Sequence, residues 1–272
     1  MLRDWWQRLQ TRRDDAAVAR REIPPDLWKR TLVRYPFLRR RSADDAVELK
    51  RLTSLFLDRK EFHAAGGLRL SDAMVVAIAA QAVLPVLRLG LAGYDSFVGI
   101  VVHPGQVLAR REVAGDDGLV HAYEEALAGE AMEGGPIMLS WQDVRAAGPM
   151  AGQGYNVVIH EFAHVLDMQD GLADGVPLLP ADIRRTDWLA VLQPEYERFV
   201  QAVDAADADP EGKLSTALDP YGASAPEEFF AVASEAFFAS PLLLQGAHPA
   251  LYALFARYYR QDPAEETMPR RG

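Results

Sequence analysis

Residues 160–164 read His-Glu-Phe-Ala-His, two imidazoles four positions apart with a carboxylate between them. In a helix each residue advances about 100° round the axis, so His160 and His164 stand about 40° apart, one turn above the other, and reach one ion. Neutral imidazoles bind Zn2+ without cancelling its charge, and such an ion lowers the pKa of bound water toward neutrality. Glu161 is placed to take that water's proton and pass it to a leaving amine, the proton traffic of peptide-bond hydrolysis. The plainer alternative is a core helix whose two histidines are satisfied by ordinary hydrogen bonds. Against it stands the pattern itself: Val158, Phe162, Val165 and Leu166 fall opposite the histidines, which separates a packing face from a metal face. Asn156 and Asp167 extend the polar sector and are candidates for hydrogen bonding around the ligands.

Two histidines and a water leave a catalytic zinc one protein ligand short. The chain has no cysteine, so thiolate sites, disulfides and a cysteine nucleophile are excluded and any metal is held by His, Asp or Glu. Asp167 lies about 10 Å along the helix axis from His160, which suits support of a ligand better than coordination. Asp170 stands where metzincins place a third ligand, but the glycine that turns the chain in that arrangement is Asp167 here. Glu228 lies in DPYGASAPEEFFAVASEAFF, residues 219–238. There Ser224 and Glu227 have the spacing of a capping box and Pro226 fits a first helical turn. On that helix Glu228, Val232 and Glu235 share one face and Phe230, Ala233 and Phe237 another. Glu228 can enter the site from a packed element, Glu235 suits a buried hydrogen bond to a ligand, and Glu227 answers the helix dipole.

The elements that must position these groups are readable in outline. Helices are expected over Ala43–Arg59, from Ser71 toward Pro85, near 153–169 and near 226–239, after a helical N-terminal region. SFVGIVVH (96–103) and IMLSW (137–141) are β-branched or aromatic runs bounded by Gly and Pro, hence strands. If the second is an edge strand, Met138, Leu139, Ser140 and Trp141 can hold an extended substrate by backbone pairing; as an internal strand it cannot. His63, His103, His121 and His248 have no ligand spacing to one another and are read as surface or satisfied core residues. Tyr258 and Tyr259 are read as helix packing.

Charge bounds the partners. The net charge of −10 divides into +7 over residues 1–41 and −17 over the rest, and an acidic body argues against direct nucleic-acid binding. The basic start, with Trp5, Trp6 and Trp28, is expected to be a solvated helix packing its tryptophans. The opening MLRDWWQRLQTRR has no apolar leader core, and the most apolar stretch, 73–87, is short and broken by Pro85. A cytoplasmic protein without a membrane span is therefore expected. No repeat or low-complexity linker divides the chain.

GYNVVIHEFAHVLDMQDG (154–171), LSWQDV (139–144) and the 219–238 segment together resemble the Mlc titration factor A family. These are zinc peptidases whose catalytic core is similar to that of anthrax lethal factor. The resemblance runs from about Trp28 to about Tyr259. It implies an α+β fold, mostly helical, of zincin type (gluzincin-like), with a small mixed sheet beside the HExxH helix. It also implies one Zn2+ per chain, held by His160, His164 and Glu228, with Glu161 as base. Tyr221, seven residues before Glu228, is implied as hydrogen-bond donor to the oxyanion, where a phenol stabilises developing charge. The implied activity is aminopeptidase hydrolysis of short peptides, and the implied partner is an Mlc-like glucose-responsive repressor, bound rather than cleaved. The expected division is a basic extension over 1–27, one zinc-peptidase domain over 28–260 and a flexible tail over 261–272. Two other readings stand beside this: a non-catalytic regulatory protein with a structural zinc, and a zinc hydrolase of other amides or esters.

Overall fold

The computed structural model describes residues 2–114, 120–131 and 134–267. Helices α1 (Leu2–Arg20), α2 (Pro25–Arg34) and α3 (Ala43–Arg59) come first, then strand β1 (Glu61–Ala64) and helix α4 (Asp72–Ala82). The β region follows: β2 (Gly99–His103), β3 (Val107–Ala114), β4 (Val120–Leu127), β5 (Gly129–Ala131) and β6 (Ile137–Ser140). Helices α5 (Trp141–Ala146), α6 (Val157–Asp167), α7 (Arg185–Asp207), α8 (Pro226–Ala239), α9 (Pro241–Ala247), α10 (Pro249–Tyr259) and α11 (Pro263–Thr267) complete the chain. The fold is α+β and mostly helical, with a small mixed sheet.

That sheet has the order β1-β2-β6-β5, parallel across the first three strands and antiparallel between β6 and β5. Its interior strands alternate as a half-covered sheet should: Ile100, Val102, Ile137 and Leu139 are buried under the helices. β3 and β4 form a separate antiparallel pair. The edge reading of residues 137–141 is overturned. β6 is paired on one side by β2 and on the other by β5, and Ser140 caps α5 by accepting a hydrogen bond from the Asp143 backbone N–H, so Trp141 is helical. Among the described residues the edge strands are β1 and the three-residue β5.

The helices start where their caps dictate. Ser42 and Ser71 accept N–H bonds at the starts of α3 and α4, as side-chain oxygens do at N-caps. α8 differs from expectation: its N-cap is Ala225 without a side-chain bond, because the Ser224 hydroxyl donates to the Tyr221 carbonyl at 2.7 Å. Pro226 does occupy the first turn. The main core lies between α6, α8, α10 and the sheet. Phe162 sits among Phe56, Tyr94 and Phe97 with ring centroids 5.7, 5.0 and 5.8 Å away. Tyr258 and Tyr259 pack against Trp188 and Phe237, as read from the sequence.

Both ends are more tightly joined than expected. α1 is helical, and it packs on α3 with Ala17 in the main core and Arg20 bound to Asp58 at 2.8 Å. Residues 261–267 are docked rather than free: Gln261 donates to the Leu84 carbonyl at 3.0 Å, Ala264 is buried and Glu266 pairs with Arg41 at 3.1 Å. The last five positions of the expected tail lie outside the described residues. Among the described residues no helix is long and apolar enough to cross a membrane.

Candidate metal centre

α6 begins one residue after Asn156, whose side-chain oxygen accepts the Ile159 N–H at 3.0 Å. This cap moves the helix start later than the sequence suggested and fixes the phase of the two histidines. Asn156 is fully buried and its amide also donates to Gln81 Oε1 at 3.0 Å. Val158, Phe162, Val165 and Leu166 are buried on the packing side, while His160 lines a cavity and His164 stands one turn further along the same face.

α8 crosses α6 and brings two carboxylates to the imidazoles. His160 Nε2, His164 Nε2 and Glu228 Oε2 form a triangle with sides of 3.2, 3.1 and 3.3 Å. A tetrahedral zinc with bonds of about 2.0–2.1 Å separates its ligand atoms by about 3.3 Å, so the triangle has the size of one face of such a polyhedron. Glu228 Oε2 is buried and within ion-pair distance of both rings, yet it makes no aligned hydrogen bond, as expected of atoms aimed at a shared point. Among the described residues this is the one group of three or more such side chains able to hold a metal. Asp170 is not part of it: the residue is exposed, and its Oδ1 accepts the Leu172 N–H at 3.2 Å.

Glu235, two turns on from Glu228, holds the first histidine. Its Oε1 lies 2.7 Å from His160 Nδ1, and its Oε2 accepts the backbone N–H of Asn156. A proton on Nδ1 toward Glu235 leaves the Nε2 lone pair facing the triangle. Burial works against charge on His160, but Glu228 and Glu235 outweigh it and hold its pKa well above the ordinary range. Burial raises Glu228 as well, yet its contacts with His160 and His164 dominate and pull it below the usual carboxylate range. The donor set therefore demands a positive charge: a proton in the protein alone, or a divalent cation, which releases that proton on binding. The residues fit zinc on both distance and charge.

Glu161 is buried, and burial lifts its pKa. It faces β5 so closely that a Cβ at Gly129 would stand 2.5 Å from its Oε1. Asp167 sits away from the triangle and braces the chain after α6, its Oδ2 accepting the Gly175 N–H at 2.9 Å; burial pushes its pKa up to about 7. Tyr221 is exposed on a turn, Pro220–Ala223, with its ring centroid 6.1 Å from that of His160. Asp219 fixes that turn by accepting the Tyr221 N–H at 3.0 Å, and Tyr196 anchors it through the Ala223 carbonyl at 3.1 Å.

A cavity of about 240 Å³ opens beside the triangle, lined by Gly129, Tyr155, His160, Glu161, Asp219 and Tyr221 among others. Of the sequence candidates, the structure gathers His160, Glu161, His164, Tyr221, Glu228, Glu235 and Asn156 at one place. Met138, Leu139, Ser140 and Trp141 do not line it. Sequence reasoning missed Gly129 and Asp219; one gives no signal until its neighbour is known, and the other stood in a quoted motif without a role. His248 is a satisfied core residue, 2.7 Å from Glu195, and His63 is exposed. The side chain of His121 lies outside the described residues.

Comparison with known proteins agrees with this geometry. Residues 6–260 match the family model described as glucose-regulated metallo-peptidase M90, a match that begins inside the segment expected to be a separate extension. The chain is 38% identical over 231 residues to a Mlc titration factor A of Edwardsiella ictaluri, covering 85% of each protein. It is 36% identical over 233 residues to that of Pectobacterium atrosepticum, covering 85% of this chain and 84% of the relative. With that of Yersinia pestis it is 35% identical over 237 residues, covering 87% and 84%. Matched over most of its length and carrying a His-His-Glu triangle of metal-binding size, this chain belongs to the M90 family of metallopeptidases.

Proposed function

We propose that this protein is a zinc-dependent aminopeptidase acting on short peptides, with a zincin-type, gluzincin-like arrangement of its site. The observation that carries the reading is the triangle of His160 Nε2, His164 Nε2 and Glu228 Oε2, with Glu161 on the same helix and a cavity alongside. A structural zinc is closed by four protein ligands, whereas three ligands beside a cavity leave a position for water or substrate.

When bound there, zinc supplies Lewis acidity, lowering the pKa of water and polarising the scissile carbonyl. Glu161, its pKa lifted by burial, accepts the proton of the attacking water and hands it to the departing amine. The Tyr221 phenol donates a hydrogen bond where charge develops on the carbonyl oxygen. Glu235 keeps His160 in one tautomer throughout. At this sheet edge Gly129 of β5, on the cavity wall, offers backbone groups for pairing with an extended peptide. This assigns to β5 the role that residues 138–141 cannot take.

The test is hydrolysis of amino-acid anilides and short peptides by purified protein with zinc restored. Glu161→Gln should abolish turnover while leaving fold and metal content nearly intact; unchanged turnover in that variant defeats the mechanism. A second reading is favoured by the relatives' name, Mlc titration factor A: binding of an Mlc-like repressor. It is tested by co-purification with such a repressor, which a binding role leaves intact in the Glu161→Gln variant.

A further inference from the structure

We propose that Asp219 is the anchor for the free α-ammonium group of the substrate, the residue that makes this site select peptide N-termini. The inference rests on the peptidase reading above and adds to it a specific recognition group.

The cavity beside the metal triangle is lined by three carboxylates, Glu161, Asp219 and Glu235. Two of them are committed. Glu235 divides its oxygens between His160 Nδ1 and the Asn156 N–H, and Glu161 is buried against Gly129 on the catalytic helix. Asp219 is exposed to the cavity and solvent, and its Oδ1 accepts the Tyr221 N–H. That bond orients the carboxylate, and a carboxylate has lone pairs enough to accept from a further donor. The same residue also lines a second cavity of about 600 Å³, reached past Tyr155, Val232 and Glu235. Asp219 thus stands at the junction of two spaces, with the metal triangle at one side.

Distance and charge explain why a carboxylate is needed at that junction. In an N-terminal residue the amine is only about 2.5 Å from the scissile carbonyl carbon, since two bonds and one tetrahedral angle separate them. A carbonyl placed at the triangle therefore carries its ammonium into the same small cavity. With a divalent cation held by His160, His164 and Glu228, the ammonium and the ion would repel each other within that cavity. A fixed carboxylate beside the ammonium offsets this and adds a charge-assisted hydrogen bond. An acylated or internal residue has no charge to place there, so Asp219 gains it nothing. Asp219 is also rigidly tied to Tyr221, two residues on, so the anchor and the oxyanion donor are held in one turn.

The experiment compares trialanine with N-acetyl-trialanine on wild type, Asp219→Asn and Asp219→Glu. Cleavage is followed with zinc loaded, and binding is measured by calorimetry in the Glu161→Gln background, where turnover does not interfere. The expected result is that Asp219→Asn lowers the preference for the free over the acetylated peptide at least 10-fold, carried by KM. Binding of the free peptide should weaken by the same factor, with zinc content unchanged and partial recovery in Asp219→Glu. An unchanged preference, or equal losses on both peptides, overturns the assignment; equal losses would mean that Asp219 only supports the turn bearing Tyr221. If wild-type protein cleaves neither peptide, the peptidase reading fails instead, and the calorimetric contrast still decides the role of Asp219.

Discussion

Glu235 Oε1 lies 2.7 Å from His160 Nδ1, while its second oxygen receives the buried backbone N–H of Asn156, the cap of the helix that carries His160. One carboxylate on α8 thus sets both the tautomer of a metal ligand and the start of α6. Replacing Glu235 by Gln forces an amide N–H toward one of two partners that each need an acceptor. Zinc affinity should fall about 10–100-fold, the usual effect of removing a group that supports a ligand. Loss of the buried acceptor for Asn156 should cost a further 1–3 kcal/mol or so of stability. Chelator competition and thermal unfolding measure the two separately, and unchanged zinc affinity would remove Glu235 from this role.

Gly129→Ala tests the closeness of β5 to the base. The added methyl would stand 2.5 Å from both Cγ and Oε1 of Glu161, so the whole side chain of the base must move away from β5. Turnover should drop at least 10-fold while zinc content stays near one per chain, because no ligand to the metal is touched. An active alanine variant would show that the base has room the structure does not give it.

Asp167 provides a pH signature. Burial raises its pKa in the folded protein to about 7, above the ordinary value of 3.8. Between those values the folded state holds a proton that the unfolded state releases, so this group's contribution is complete below about 4 and is lost as pH rises through about 7. Asp167→Asn keeps an acceptor for the Gly175 N–H and removes the titration. Across this window the stability of metal-free wild type relative to the variant should decline with rising pH, by at most about 1.4 kcal/mol per unit. A flat difference in unfolding free energy from pH 4 to 7 contradicts the assignment.

Phe162 is the packing counterpart of the metal face. Truncation to Ala removes a fully buried ring from contact with Phe56, Tyr94 and Phe97 and should cost about 3–5 kcal/mol. Urea unfolding measures it, and a cost below about 1 kcal/mol would mean that the helix is not seated as described.

How much of this was legible in the sequence follows from range. The HEFAH helix, its packing face and the helix bearing Glu228 depend on local periodicity and are present, with the start of the first set later than expected by its Asn156 cap. That Glu235 would meet His160 was open to inference because both Glu228 and Glu235 share a face with a seven-residue spacing. The edge of the sheet was not legible. β5 is three residues long and contains glycine, so it carries no strand pattern, and only its pairing to β6 shows that 137–140 is interior. The capping box failed because one hydroxyl had two possible partners, and Ser224 donates backward to Tyr221 instead of accepting at the helix start. The docking of residues 261–267 depends on a hydrogen bond to Leu84, 177 positions away, which no local pattern encodes.

The central claim is that His160, His164 and Glu228 converge on one cation that retains an open position. Anomalous diffraction at the zinc edge, from crystals grown with zinc, tests it most directly. The account predicts one peak per chain, about 2.0–2.2 Å from His160 Nε2, His164 Nε2 and a Glu228 oxygen, with the remaining position held by solvent. A peak elsewhere, Glu228 turned away from the metal, or a fourth protein side chain closing the coordination would contradict it.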